Sequence, residues 1–185
     1  AAEIVERARA REAELIALPR VSYETQRFLA PEFIREEHAL LKAAMAARGQ
    51  WTPPPKAAIA SVLTGSPASV EQRAAVRHML NRDGVCIAEG AAGTGKTFVL
   101  KLLRRILDAD QRRLLIAAPA WKAARLAGQE SHVPVADAQA LDPLIHAIQA
   151  GTEVIDRRTV IVVDEAGMAG SQDLQILVAA ATAAA

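Results

Sequence analysis

One stretch constrains this chain more than any other: Gly90-Ala91-Ala92-Gly93-Thr94-Gly95-Lys96-Thr97. It has the spacing G-x-x-x-x-G-K-[ST], in which glycines let the backbone bend until successive N–H groups point at phosphate oxygens. The run Val85–Glu89 before it reads as a short apolar strand, and residues 96–108 after it read as a helix. That order aims the positive end of a helix dipole at the same phosphate. A glycine-rich turn with a surface lysine is the bland alternative, and the strand and helix around the motif argue against it. Gly90, Ala91, Ala92, Gly93, Thr94, Gly95, Lys96 and Thr97 are thus the expected nucleotide-binding residues. Lys96 is expected to reach the β- and γ-phosphates and Thr97 to ligate Mg²⁺, with ATP and Mg²⁺ as cofactors.

The rest of the second half alternates helix and strand. Residues 69–82 read as a helix, Leu114–Ala118 as a strand, and 120–127 as a helix stopped by Gly128. Residues 138–149 read as a helix capped by Asp137, Val160–Val163 as a strand, and 172–180 as a helix capped by Ser171. Strands that are apolar throughout, each followed by a helix, predict an α/β fold with a parallel sheet covered on both faces. The strand Val160–Val163 ends in Asp164-Glu165. Ligands of open parallel sheets bind beyond the carboxyl ends of the strands. Asp164 is therefore expected to hold Mg²⁺, and Glu165 to orient or deprotonate a water that attacks the γ-phosphate. Lys96 and Glu165 are the expected catalytic pair. Ser69 and Gln72 have capping-box spacing, which needs no ligand. From spacing alone a capping role and an adenine contact for Gln72 stand level.

Composition sets outer limits. The chain has 185 residues, with 22 Lys+Arg against 21 Asp+Glu, which excludes a broadly basic nucleic-acid binder but not a local groove. Aromatics are only 3%, so the core must be aliphatic. A single cysteine, Cys86, excludes a disulfide framework and reads as a small core residue. No apolar run reaches the roughly 18 residues of a membrane span, so a cytoplasmic, membrane-free protein is expected. Residues 3–18 read as a helix ended by Pro19, and 31–48 as a second helix from Pro31 to Gly49. Thr52-Pro53-Pro54-Pro55 is a stiff linker signal followed by a short helix at 56–63. The expected organisation is a helical segment over 1–52, a linker and short helix over 53–68, and an α/β lobe over 69–185. With no initial methionine and an Ala-Thr-Ala-Ala-Ala end, the chain reads as part of a longer protein. His38, His78, His132 and His146 are scattered and read as ordinary surface or core residues. Arg7, Arg9, Arg11, Arg112-Arg113 and Arg157-Arg158 read as solvated charge.

Taken together, Ser69–Val76, Gly90–Thr97, Ala118-Pro119-Ala120-Trp121-Lys122-Ala123-Ala124 and Asp164-Glu165-Ala166-Gly167-Met168 resemble superfamily 1 DNA helicases of the RecD-like group. Within it they are most similar to the helicase region of TraA-type, MobF-like conjugative relaxases. The resemblance covers residues 69–175; Tyr23 to Gly49 and Ala57 to Leu63 loosely resemble the helical lead-in of the same proteins. It implies a RecA-like P-loop NTPase lobe, an adenine contact by Gln72, and a backbone contact to single-stranded DNA by the segment with Pro119, Trp121 and Lys122. Common members have Pro-Thr-Gly-Lys there; this chain lacks the threonine hydroxyl at Ala120 and has Trp121 in place of a small residue. Trp121 either stacks on a base or covers apolar surface.

The resemblance also implies partners: single-stranded DNA, the remaining helicase lobe and a relaxase or nuclease domain. The chain shows no later helicase motif, no second lobe and no arginine for the γ-phosphate, a group worth about 10³–10⁵ in rate in related phosphoryl transfer. The 185 residues alone are thus expected to bind ATP weakly, with little hydrolysis or unwinding. In RecA-like sheets another strand lies between the phosphate-loop strand and the Asp-Glu strand. With three core strands legible, strands 85–89 and 160–163 are expected not to pair, leaving the sheet incomplete. A RecD-like repair helicase lobe, a P-loop phosphotransferase and a non-catalytic nucleotide-binding adaptor are the alternatives.

Overall fold

Arg113–Ala118 is apolar on both faces after its first residue, and such a strand can only lie inside a sheet covered on both sides. In the computed structural model, which describes residues 16–17, 28–29, 31–91 and 93–184, it is the central strand of a three-stranded parallel sheet. We number the elements in chain order: β1 (Ile16–Ala17), β2 (Phe28–Leu29), α1 (Pro31–Ala46), α2 (Lys56–Thr64), α3 (Val70–Met79), α4 (Lys96–Ala109), β3 (Arg113–Ala118), α5 (Trp121–Ser131), β4 (Ala138–Ala140), α6 (Leu141–Gln149), β5 (Thr159–Val163) and α7 (Ser171–Ala183). The sheet order is β4-β3-β5, with Ile116 opposite Ala138 on one side and Val162 on the other. This is an α/β P-loop architecture with an incomplete sheet, preceded by helices.

The alternation of β3 builds the core. Leu114 and Ile116 face one layer, packed with Leu102, Leu103, Ile106 and Leu107 of α4 and with residues of α2, α3 and α5. Leu115 and Ala117 face the other, packed with Leu141, Leu144 and Ile145 of α6 and Leu177 of α7. Leu114 to Ala118 are all fully buried, whereas every residue of β5 is only half-buried, because one edge of β5 is open. Cutting one fully buried leucine of α4 back to alanine should cost about 2–5 kcal/mol.

Val85–Glu89 is not a strand. It pairs with no described residue in any ladder, and Ile87 at its centre is 78% exposed. A lone segment gains nothing from a strand conformation without a neighbour to take its N–H and C=O groups. As expected, it is not joined to β5, whose other edge carries no strand among the described residues. Its ties are to α3 and the turn after it: His78 Nε2 lies 3.0 Å from the Ile87 carbonyl, and the Cys86 thiol lies 3.4 Å from both the His78 carbonyl and Asn81 Oδ1. Cys86 is half-buried rather than a core residue, and burial first, then Asp83, pushes its thiol pKa up.

Other expectations shift at their boundaries. Ala138–Ala140, read as the start of a helix, is strand β4, and the helix begins at Leu141. Asp137 caps nothing there; it pairs with Arg113 at 2.6 Å, and Arg113 also meets Glu153 at 2.5 Å. Arg113 therefore ties the start of β3 to the segments before β4 and β5 rather than merely solubilising the surface. Gly170, not Ser171, precedes α7 as its cap residue. Gly128 does not stop α5, which runs on to Ser131 and ends where His132 turns left-handed at φ 58°. Gly128 is buried, and glycine stands there because a Cβ would meet the Cβ of Ala138 at 2.5 Å. Ile16–Ala17, inside the expected first helix, pairs antiparallel with Phe28–Leu29; the rest of that helix, with Arg7, Arg9 and Arg11, lies outside the described residues, as do Pro19 and Tyr23.

Before the proline run, α1 packs along α7, and Gln172 donates from Nε2 to Glu36. Gly84 N–H donates to the Ala47 carbonyl at 3.0 Å, and Trp51 N–H to Arg82 at 3.1 Å. No helix among the described residues is long and apolar enough to cross a membrane.

The close approach of α5 to β4 makes a testable demand. Gly128→Val should lower the unfolding free energy by about 1–3 kcal/mol in urea denaturation, because the added atoms find no space. Ala138→Gly in the same chain should recover part of that loss.

Candidate nucleotide-binding site

The phosphate motif folds as a tight turn into α4. Gly93 and Gly95 have φ of 80° and 83°, left-handed values that a side chain rarely tolerates. Gly95 is the residue before the helix, and no side chain caps it. The first-turn N–H groups of α4 thus stand open to an anion. Thr94 Oγ1 donates to the Ala91 carbonyl at 2.8 Å, and Lys96 Nζ folds back onto the Gly90 carbonyl at 2.8 Å. Lys96 is exposed and Thr97 half-buried. Ala92 lies outside the described residues. Gly90 is constrained by space: a Cβ there would meet Thr94 Oγ1 at 2.9 Å.

Gln72 joins this loop to α3. The capping box is complete, with Gln72 N–H donating to Ser69 Oγ at 3.1 Å and Ser69 N–H donating to Gln72 Oε1 at 3.1 Å. Gln72 Nε2 then donates to the Thr94 carbonyl at 3.2 Å. A Cβ on Gly95 would lie 2.5 Å from that same Nε2, so a side chain there, besides straining φ, would push the Gln72 carboxamide off the loop. The capping role and a place at the phosphate loop are not alternatives here: one carboxamide does both.

The carboxylates sit where the register of β3 and β5 puts them. Asp164 N–H donates to the Ala117 carbonyl at 2.8 Å, extending the ladder past Val163 to the carboxyl end of the sheet. Asp164 is half-buried, and its Oδ1 accepts from the Glu165 N–H at 3.0 Å. Glu165 is exposed and left-handed at φ 55°, a conformation worth noting in a residue other than glycine. Backbone strain of this kind clusters at functional turns. At the carboxyl end of β3 the chain passes half-buried Pro119 into α5, whose first residues Trp121, 52% exposed, and Lys122 face solvent.

Among the described residues no hydrogen bond or ion pair links the phosphate loop to Asp164 or Glu165. Besides Gln72, the side chain that reaches the loop's end is Glu130 in the last turn of α5, which accepts from Thr97 Oγ1 at 3.0 Å. Sequence reading missed Glu130, since no spacing rule connects residues 33 apart on different helices. Among the described residues no three His, Cys, Asp or Glu side chains form a metal cage. Mg²⁺ commonly takes one or two protein oxygens and completes its shell from phosphates and water. Thr97 and Asp164 are donors of that type.

A cleft of about 420 Å³ lies elsewhere, lined by Trp51, Asp110, Arg112, Arg157 and Arg158 beside the amino ends of β3 and β5. Arg112 there is already satisfied, stacked 5.1 Å from the centre of the Trp51 ring and paired with Asp110 at 2.6 Å.

Glycine turn, uncapped helix and parallel sheet define a P-loop fold of the nucleotide-binding class. The chain belongs to the AAA domain family, whose profile matches residues 67–185. It is similar to "Probable conjugal transfer protein TraA" of Sinorhizobium fredii, 33% identical over 116 residues, covering 63% of this chain and 10% of that protein. It is also similar to "Conjugal transfer protein TraA" of Agrobacterium fabrum, 30% identical over 106 residues, 57% of this chain and 9% of the relative. The chain thus spans about a tenth of the length of these curated relatives.

Gln72→Ala removes the partner of the Ser69 N–H and the tie to Thr94, while the backbone N–H of residue 72 keeps Ser69 Oγ as its acceptor. It should lower stability by about 0.5–1.5 kcal/mol in thermal or urea unfolding. Gln72→Glu, which keeps an acceptor for Ser69 but has no N–H for Thr94, should keep more of the helix contribution.

Proposed function

We propose that the chain is the ATP-binding first motor lobe of an ATP-dependent DNA helicase or translocase of the RecD-like type, within a conjugative relaxase. The observation that carries this reading is the phosphate loop itself. Gly93 and Gly95 hold left-handed turns, Lys96 lies over the loop and the α4 N–H groups are open.

In this reading ATP phosphates displace the Gly90 carbonyl as the partner of Lys96 and take the first-turn N–H groups of α4. Gln72 has a second Nε2 hydrogen available for an adenine edge. Thr97 and Asp164 hold Mg²⁺, which supplies charge neutralisation at the β- and γ-phosphates. Glu165 takes the proton of the attacking water. Pro119, Trp121 and Lys122 meet single-stranded DNA, with the exposed Trp121 ring free to stack on a base for about 1–3 kcal/mol. A further lobe supplies the groups that complete the site, and a relaxase or nuclease domain of the same protein supplies the DNA.

Two substitutions in the intact protein separate binding from turnover. Lys96→Ala should abolish measurable ATP binding and hydrolysis. Glu165→Gln should keep ATP binding while cutting DNA-stimulated hydrolysis by about 10²–10⁴-fold. Hydrolysis undiminished in Glu165→Gln would reject the base assignment. Transfer of phosphate to an acceptor other than water would favour a phosphotransferase, and ATP binding without turnover in the intact protein would favour an adaptor.

A further inference from the structure

Among the described residues, the contact between Thr97 and Glu130 is the one side-chain bond that reaches Thr97 from another helix. Thr97 Oγ1 donates to Glu130 Oε2 at 3.0 Å across 33 residues of sequence. A hydroxyl has one proton to give and two lone pairs to offer. When the proton goes to a carboxylate, both lone pairs remain for a cation. When no acceptor is present, a threonine in a helix commonly turns its proton onto a carbonyl three or four residues earlier. Thr182 in α7 does this with Val178 and Ala179. Thr97 has loop residues at those positions and makes no such bond, so Glu130 takes the proton instead.

Packing fixes the position of Glu130. Ala127, one turn earlier in α5, belongs to the same core layer as Leu103 and Leu107 of α4. The two helices are therefore held at a set distance, and the last turn of α5 stays over the first turn of α4. Glu130 itself is exposed, and among the described residues it makes no other hydrogen bond or ion pair.

We infer that Glu130 is a positioning residue that orients the Thr97 hydroxyl for Mg²⁺ by accepting its proton. The inference rests on the nucleotide reading above. Partners one bond removed from a metal ligand orient it and raise its basicity, and losing one typically costs about 10–100-fold in metal affinity.

The test is equilibrium binding of a fluorescent ATP analogue to the intact protein, with Mg²⁺ and with chelator. Glu130→Ala should weaken Mg²⁺-dependent binding by about 10–100-fold and leave Mg²⁺-free binding unchanged. Glu130→Gln, which keeps an acceptor oxygen at the same reach, should recover most of the loss. Thr97→Ala combined with Glu130→Ala should be no worse than Thr97→Ala alone, because both remove one interaction. Equal loss with and without Mg²⁺, or no rescue by glutamine, would overturn the positioning role while leaving the nucleotide reading intact. So would additive effects in the double variant. A wild-type protein that binds no nucleotide would overturn both.

Discussion

The pairing of β3 with β5 is the constraint on which the rest depends. Its register, Leu114 opposite Val160 through Ala117 opposite Val163, decides which side chains of both strands enter which core layer. A slip of one residue would turn Leu114 and Ile116 away from α4 and move Asp164 out of line with Ala117. The same pairing therefore sets the hydrophobic core and the carboxylate end of the site. β3 can carry this load because it has partners on both edges and helices on both faces, and its residues from Leu114 to Ala118 are fully buried.

The phosphate loop is anchored differently. No strand leads into it; Val85–Glu89 runs without a ladder, and the loop is fixed from its far side through α4, whose leucines fill the core. Two side chains hold it laterally, Gln72 from α3 at the Thr94 carbonyl and Glu130 from α5 at Thr97. A loop held by a buried helix and two polar ties can keep its glycine turns while its N–H groups and Lys96 remain open. That combination of a firm base and unsatisfied donors is what an anion site requires.

Much of this was legible in the sequence, and the reasons are local. The glycines at 93 and 95 declare positive φ by residue type, and the apolar runs at 114–118 and 160–163 declare parallel strands, the first of them buried on both faces. Asp164 was placed by topology, because ligands meet parallel sheets at their carboxyl ends. What failed depended on neighbours. Val85–Glu89 has strand composition but no partner among the described residues. Ala138–Ala140 has helix composition, yet β3 offers an edge that it fills. Gly128 looked like a stop because glycine usually ends helices, whereas here it makes room for Ala138. Arg113 and Glu130 were unreadable for the same reason: each acts on residues brought close only by packing.

The central claim, that the turn from Gly93 into α4 receives nucleotide phosphate, is tested most directly by amide hydrogen exchange in the intact protein with and without ATP and Mg²⁺. The account predicts slowed exchange over Gly93–Val99, with the cleft around Trp51 and Arg112 unchanged. Exchange at Gly93–Val99 that does not respond to nucleotide, or protection confined to the Trp51 cleft, would contradict it.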